Sequence, residues 1–208
     1  GAGVNNIPVD KCSENGVVVF NPPGANANGV MELTILGILL SSRKVAEGIN
    51  WTKTLTEDVA KQVEKGKSQF KGPEIKGKTL GVIGLGAIGV LVANTAIKLG
   101  MNVIGYDPYM SVRNAIGVSW DVDYADSLDE LLTKSDYISL HIPLIEATTE
   151  FINKERIMKM KDGVRLLNFS RACLVNDDDL IEALESGKIS KYVTDFPNGK
   201  VLNAKNTI

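Results

Sequence analysis

The run Lys78-Thr-Leu-Gly-Val-Ile-Gly84-Leu-Gly86-Ala-Ile-Gly89-Val-Leu-Val-Ala93 leaves few choices of fold. Leu80, Val82 and Ile83 precede the three glycines as a strand, and Ile88, Leu91, Val92, Thr95, Ala96 and Leu99 follow at helical spacing. The apolar period switches from that of a strand to that of a helix across the turn. Gly84 permits the tight turn, Gly86 lets a pyrophosphate approach the backbone, and Gly89 lets the helix pack close to the strand. The phosphates would sit on the free N–H groups of the helix N-terminus.

A glycine pattern of this kind is weak by itself, but its context is the required one. A second apolar strand, Asn102–Tyr106, follows the helix and ends in Asp107. That acid stands at roughly the 20-residue offset at which a carboxylate meets the adenosine ribose. The bland alternative for Asp107 is the start of a turn, since Asp-Pro favours one.

The rest of the chain repeats the alternation. Ser127-Leu-Asp-Glu130 is a capping-box pattern opening a helix from Leu128 to Thr133. A strand from Tyr137 to His141 stops at Pro143, and a helix from Lys154 to Met160 leads to a strand from Val164 to Phe169. A helix opening at Asn176, with Asp177, Asp178 and Asp179 in its first turn, stops at Gly187 and precedes a last strand, Tyr192–Thr194. Such alternation predicts an α/β fold, a doubly wound parallel sheet of Rossmann-like form. Nearer the N-terminus, Val17–Phe20 is expected to be a short strand beside the Asn21-Pro-Pro-Gly24 hinge. Gly29 to Gly48 is expected to be one long helix, apolar on more than one face, serving either an ordinary core or a dimer seam. Trp51 to Gly77 is mixed and charged, with Lys61, Lys65 and Lys67 as a solvated face.

Composition narrows function further. The chain has 208 residues, 44% hydrophobic and 23% charged, with a net charge of −2. That leaves no footprint for nucleic acid or an anionic membrane surface. Cys12 and Cys173 are the only cysteines and lack metal-site or disulfide-framework spacing, so a reducing, cytoplasmic setting fits and no metal is expected. No apolar run approaches the roughly 20 residues needed to span a bilayer, and no signal peptide is visible. The absence of an initiator methionine suggests processing or a piece of a larger protein.

Ligands bind beyond the carboxyl ends of parallel strands. His141 is the only histidine, and is read as a wall residue beside the cofactor rather than a general base. Arg171, just after a buried strand, could hold a carboxylate or polarise a carbonyl with its planar fork. Its alternative is a surface residue capped by Asp177 or Asp178. Asp195 could accept a hydrogen bond from a nicotinamide carboxamide, or be a turn residue before Phe196-Pro-Asn-Gly199.

Gly3-Val-Asn-Asn-Ile7, Asn21-Pro-Pro-Gly-Ala-Asn26, the Gly84–Gly89 loop, Leu140-His-Ile-Pro-Leu144 with Thr148, and Asn168-Phe-Ser-Arg171 occur in an order that resembles the D-isomer-specific 2-hydroxyacid dehydrogenases. The likeness covers nearly the whole chain and is greatest to the D-3-phosphoglycerate dehydrogenase branch, a branch of serine biosynthesis. It implies that residues 1–23 are the tail of a discontinuous substrate-binding domain and hinge, and that 24–208 form the dinucleotide-binding domain. It implies NAD as cofactor, with Gly84, Gly86, Ala87, Ile88 and Gly89 at the pyrophosphate and Asp107 at the adenosine ribose. His141, Pro143 and Thr148 would lie along the cofactor, and Asp195 at the carboxamide. Arg171 would be the catalytic arginine, and the Gly3 and Val4 backbone would line the site for a small 2-hydroxy acid, 3-phosphoglycerate leading. A homodimer is implied as well. Two positions depart from the family: Ala172 replaces the usual glycine, and Phe196–Lys200 carry no counterpart of the catalytic glutamate. The family's catalytic histidine would fall beyond Ile208, so a chain ending there is expected to bind NAD without turning over substrate. The competing expectation is an NAD(H)-sensing binding protein on the same fold.

Overall fold

The structure, a computed structural model, describes residues 7–22 and 24–208. Six strands form one parallel sheet: β1 (Thr79–Ile83), β2 (Asn102–Tyr106), β3 (Val122–Tyr124), β4 (Tyr137–Leu140), β5 (Val164–Asn168) and β6 (Ile189–Thr194), ordered β3-β2-β1-β4-β5-β6. This is the doubly wound order, and the direction of winding reverses between β1 and β4. Nine helices are found among the described residues: α1 (Val9–Glu14), α2 (Ala27–Ser42), α3 (Val45–Thr52), α4 (Val59–Gly66), α5 (Ala87–Lys98), α6 (Val112–Gly117), α7 (Leu128–Lys134), α8 (Lys154–Lys159) and α9 (Asp177–Ser186).

Alternate residues of each strand feed opposite faces of the sheet. Leu80 and Val82 of β1, Tyr137 of β4 and Leu167 of β5 join Ile38 of α2 and Val92, Ala93 and Ala96 of α5 in one core. Ile83, Ile138, Leu140, Val164 and Leu166 join Leu131, Leu132, Ile157, Leu180 and Leu184, from α7, α8 and α9, in the other. Both faces are covered, which is why the central strands are almost uninterruptedly apolar.

The capping patterns act as expected. Ser127 Oγ accepts the Glu130 N–H at 3.2 Å, and Asn176 Oδ1 accepts the Asp179 N–H at 3.0 Å. Glu130 reaches back to the N–H of Asp126, one residue beyond the usual capping-box partner. Gly187 ends α9 with φ of 79°, a conformation that suits glycine.

Two N-terminal expectations are corrected. Val17–Phe20 forms no strand: Val17, Val18 and Phe20 are exposed, and among the described residues no neighbour offers them a ladder. The helix expected from Gly29 to Gly48 is two helices, parted where Arg43 turns extended (φ −113°, ψ 119°). Just before the break, Ser41 and Ser42 both donate their hydroxyls to the Ile38 carbonyl, the local competition that makes serine a poor helix interior. The mixed segment after Trp51 also contains α4, which carries Lys61 and Lys65 on its exposed side as expected. Gly3 and Val4 lie outside the described residues.

The far end of α2 is pinned beneath the sheet. Fully buried Tyr137 donates its hydroxyl to Ser42 Oγ at 2.7 Å, Arg165 stacks over the Tyr137 ring at 5.1 Å, and its Nε donates to the Ser41 carbonyl at 3.1 Å. Tyr137→Phe removes a buried donor while Ser42 keeps its bond to Ile38. It should cost about 1 kcal/mol of unfolding free energy, read as a lower urea midpoint at unchanged slope.

Candidate functional site

The site lies at the carboxyl ends of β1, β2, β4, β5 and β6, astride the reversal between β1 and β4. Its nucleotide half begins at the glycine turn. Gly84 has φ of 94°, and a Cβ there would come within 2.6 Å of the His141 carbonyl oxygen. A Cβ on Gly89 would overlap the Gly84 carbonyl, so α5 can approach β1 this closely only with glycine at both positions. Gly86, by contrast, faces open space. It opens α5, whose first-turn N–H groups have no intrahelical partner and no side-chain cap. An anion is favoured there, by those donors and by the helix dipole.

Asp107 follows β2 and is bound to that loop. Its Oδ2 accepts the Leu85 N–H at 2.9 Å and its Oδ1 accepts the Tyr109 N–H at 2.9 Å. Asp107 thus starts a turn and also faces the glycine loop. Each carboxylate oxygen retains a lone-pair site for one further donor. Two free acceptor sites beside an open helix start fit the adenosine diol and pyrophosphate of NAD.

The loop after β4 forms the next wall. Thr148 Oγ1 donates to the Pro143 carbonyl at 2.7 Å and accepts the Ile145 N–H at 2.9 Å, so this side chain closes the loop that carries Pro143. His141 sends its backbone to the glycine turn and its ring into the protein, where Nε2 meets Ser139 Oγ at 2.9 Å. Nδ1 is buried without a partner among the described residues. Burial without a compensating charge lowers the imidazolium pKa to about 4, so the ring is neutral near pH 7.

Arg171 and Asp195 form the other half. Asn168 is fully buried at the end of β5. Its Oδ1 accepts the Ser170 N–H, and its Nδ2 donates to the Arg171 carbonyl at 2.9 Å and to Tyr192 Oη at 3.2 Å. Ser170 Oγ ties this turn to the Leu140 carbonyl at 2.7 Å. The residue pattern sets Asn168 and Ser170 in one motif with Arg171 but does not mark them or Tyr192 as supports, because a strand-end position does not distinguish a brace from a core residue. The Arg171 guanidinium is exposed, 6.0 Å from the Phe196 ring, and Nη1 donates to the Ser170 carbonyl. Asp177 and Asp178 do not cap it: they bind Asn198 and Lys200. Partial burial raises the Asp195 pKa, and a hydrogen bond from its own main chain and the charge of Arg171 oppose that rise. Among the described residues no cluster could hold a metal, both cysteines are free, and no helix is long and apolar enough to cross a membrane.

Residues 36–208 match the model of the D-isomer specific 2-hydroxyacid dehydrogenase NAD binding domain. The chain is 40% identical over 195 residues to a D-3-phosphoglycerate dehydrogenase of Methanocaldococcus jannaschii, covering 94% of this chain and 35% of that one. It is 42% identical over 189 residues to a hydroxypyruvate reductase of Thermotoga maritima, covering 91% and 57%. Among solved structures, D-lactate dehydrogenase from Escherichia coli superposes with a TM-score of 0.78 at 32% identity, over 93% of this chain and 58% of that one. The chain thus spans only a third to three fifths of the length of these proteins.

The buried imidazole has a measurable signature. Unfolded, its pKa returns to about 6.5, so between that value and about 4 the unfolded state binds the extra proton and stability falls as pH falls. The loss should approach about 3 kcal/mol at the acid end, and above pH 6.5 the group should contribute no slope. His141→Asn should flatten this part of the stability profile in urea titrations. An equally steep profile in the variant would show that His141 is not its source.

Proposed function

The chain belongs to the D-isomer-specific 2-hydroxyacid dehydrogenases, through their NAD-binding domain, and on that premise we propose that it is the cofactor half of an enzyme that interconverts a D-2-hydroxy acid and its 2-keto acid. The observation that carries this reading is the meeting of two unlike half-sites across one sheet edge. An anion-binding helix start faces a carboxylate with free acceptors, and an exposed arginine and Asp195 follow the carboxyl ends of the neighbouring strands β5 and β6. Bound NAD supplies the hydride acceptor in such a reaction. Gly84–Gly89 would hold its pyrophosphate, Asp107 its adenosine ribose and Asp195 its carboxamide, with Pro143 along its length.

Arg171 would be the catalytic arginine, binding the substrate carboxylate and polarising the carbonyl through its planar fork. We assign 3-phosphoglycerate as the leading substrate, on the likeness to the Methanocaldococcus jannaschii enzyme. Residues 7–22 contain no buried residue, which supports their assignment to a substrate-binding domain and hinge rather than to the sheet. Exposed Arg171 favours an enzyme over an NAD(H) sensor, because a sensor needs no cation at the substrate end.

Reduction of a 2-keto acid requires a proton delivered to the carbonyl oxygen, and positioned acid catalysis is worth roughly 10²- to 10⁴-fold. His141 is the only histidine and is buried and neutral, so it is poorly suited to that role. The 208-residue chain should therefore bind NAD in a calorimetric titration yet oxidise no NADH when offered a 2-keto acid. No heat with NAD would overturn the function, and robust NADH oxidation would overturn the assignment of roles.

We further propose a two-fold dimer built on α2 and α3. Apart from Ile38, the buried side of α2 is lined by small and polar residues, Ala27, Thr34, Gly37 and Ser41 among them, while Leu33, Leu36 and Leu39 remain 37%, 49% and 40% exposed. An open groove of about 540 Å³ lined by Val45, Ile49 and Phe70, with Arg43, Lys44 and Lys53 also in its walls, follows along α3. Symmetric pairing would cover both in each copy. Sedimentation at micromolar concentration should give a dimer, and Leu36→Asp should give a monomer that still binds NAD.

A further inference from the structure

Asp107 is held from three sides, and one of the three holds belongs to no recognised part of the nucleotide site. Tyr109 and Leu85 give their N–H groups to the two carboxylate oxygens. The third comes from the edge of the sheet, where Tyr124, the last residue of β3, donates its hydroxyl to the Asp107 main-chain carbonyl at 2.6 Å. Tyr124 stands opposite Gly105 in the β2–β3 ladder, and the Ala125 N–H then donates to the Gly105 carbonyl at 2.8 Å. The strand end is thus anchored independently of the tyrosine hydroxyl, which leaves that hydroxyl to act on Asp107.

The position of this bond matters because Asp107 is succeeded by a proline. Pro108 has no N–H, so the peptide after Asp107 can join no ladder through its nitrogen. Its carbonyl would otherwise be free to swing with the turn. On the other flank Gly105 has no side chain, and Leu85 fills that space: a Cβ on Gly105 would come within 2.8 Å of Leu85 Cδ1. The Leu85 side chain therefore seats the glycine loop on β2 while its N–H holds the carboxylate. Between Leu85 on one side and Tyr124 on the other, the free acceptor sites of Asp107 point in a fixed direction.

We propose that Tyr124 is a positioning residue for cofactor selection: through the Asp107 carbonyl it fixes the carboxylate that accepts the ribose hydroxyls of NAD and repels a 2′-phosphate. This rests on the NAD reading of the site. A carboxylate free to swing could turn away from a 2′-phosphate, whereas a clamped one cannot, so the clamp raises affinity for NAD and selectivity against NADP together.

Tyr124→Phe deletes only the hydroxyl of a side chain that is 49% exposed, so the fold should persist, which an unchanged thermal midpoint would verify. Titrating NAD and NADP separately into the unmutated chain, Tyr124→Phe, Asp107→Ala and the double variant separates the possibilities. Tyr124→Phe should weaken NAD about fivefold, the scale of one neutral hydrogen bond, leave NADP unchanged or slightly tighter, and so narrow the NAD-to-NADP ratio. In the Asp107→Ala background the same substitution should change neither affinity, because its route of action is gone. An equal loss of NAD affinity in both backgrounds would mean that Tyr124 touches the cofactor directly and would overturn the proposal, as would an unchanged ratio in the single variant. If the unmutated chain binds no NAD, the function falls and the clamp with it. If it binds NAD and Tyr124→Phe binds identically, the clamp alone falls.

Discussion

The tight approach of α5 to the end of β1 is the constraint on which the rest of the molecule depends. Any side chain at Gly89 would overlap the Gly84 carbonyl, and any at Gly84 would strike the carbonyl of His141. One helix start, one strand end and the end of β4 are therefore pressed together with backbone alone between them. That places the α5 N-terminus, with its unpaired donors, at the reversal of winding between β1 and β4, where strand carboxyl ends diverge and leave room for a ligand. The two cores are consequences of the same geometry. A helix lying this close to β1 buries Val92, Ala93 and Ala96 against it, and the opposite face is left to α7, α8 and α9.

What is legible in the residues divides along physical lines. The central strands can be read because burial on both faces requires consecutive apolar residues, and α7 and α9 because Ser127 and Asn176 announce themselves as caps. β3 is not legible: three residues, Val-Asp-Tyr, at an edge with only Val122 partly buried carry no apolar run. Val17–Phe20 misleads in the opposite sense, since β-branched content signals a strand only where another strand is present to pair with it. The break after Ser42 is hidden because Arg43 continues a helical composition, and two serine hydroxyls on one carbonyl are a structural fact, not a pattern.

The site divides in the same way. Gly84, Gly86, Gly89 and Asp107 are found from spacing, because their chemistry is backbone geometry and one charge at a fixed offset. Arg171 and Asp195 are found from strand ends, and the structure sets those ends on the neighbouring strands β5 and β6. Their supports are not, since Asn168, Ser170, Tyr192 and Tyr124 act through hydrogen bonds to neighbouring main chain or to one another. A side chain that braces main chain can belong to any of several residue types, so it leaves no signature in composition or spacing.

The two halves also differ in how finished they are. In the nucleotide half the Asp107 carboxylate is already committed to two protein donors, and the groups left over, the first-turn donors of α5 and the free acceptors of Asp107, are those that match a dinucleotide. Such a surface binds with little reorganisation, and the free energy that ordering would otherwise cost remains available as affinity. In the other half the Arg171 guanidinium is exposed, and among the described residues it meets the Ser170 carbonyl and the Phe196 ring. A long cationic side chain in water retains much of its rotamer freedom, and a carboxylate bound to it there is screened by solvent. The same pair enclosed by a second surface would gain in strength as water left, because the effective dielectric falls. A site built this way would hold a dinucleotide on a rigid platform, and Arg171 would bind an anion more strongly under a second surface than in open water.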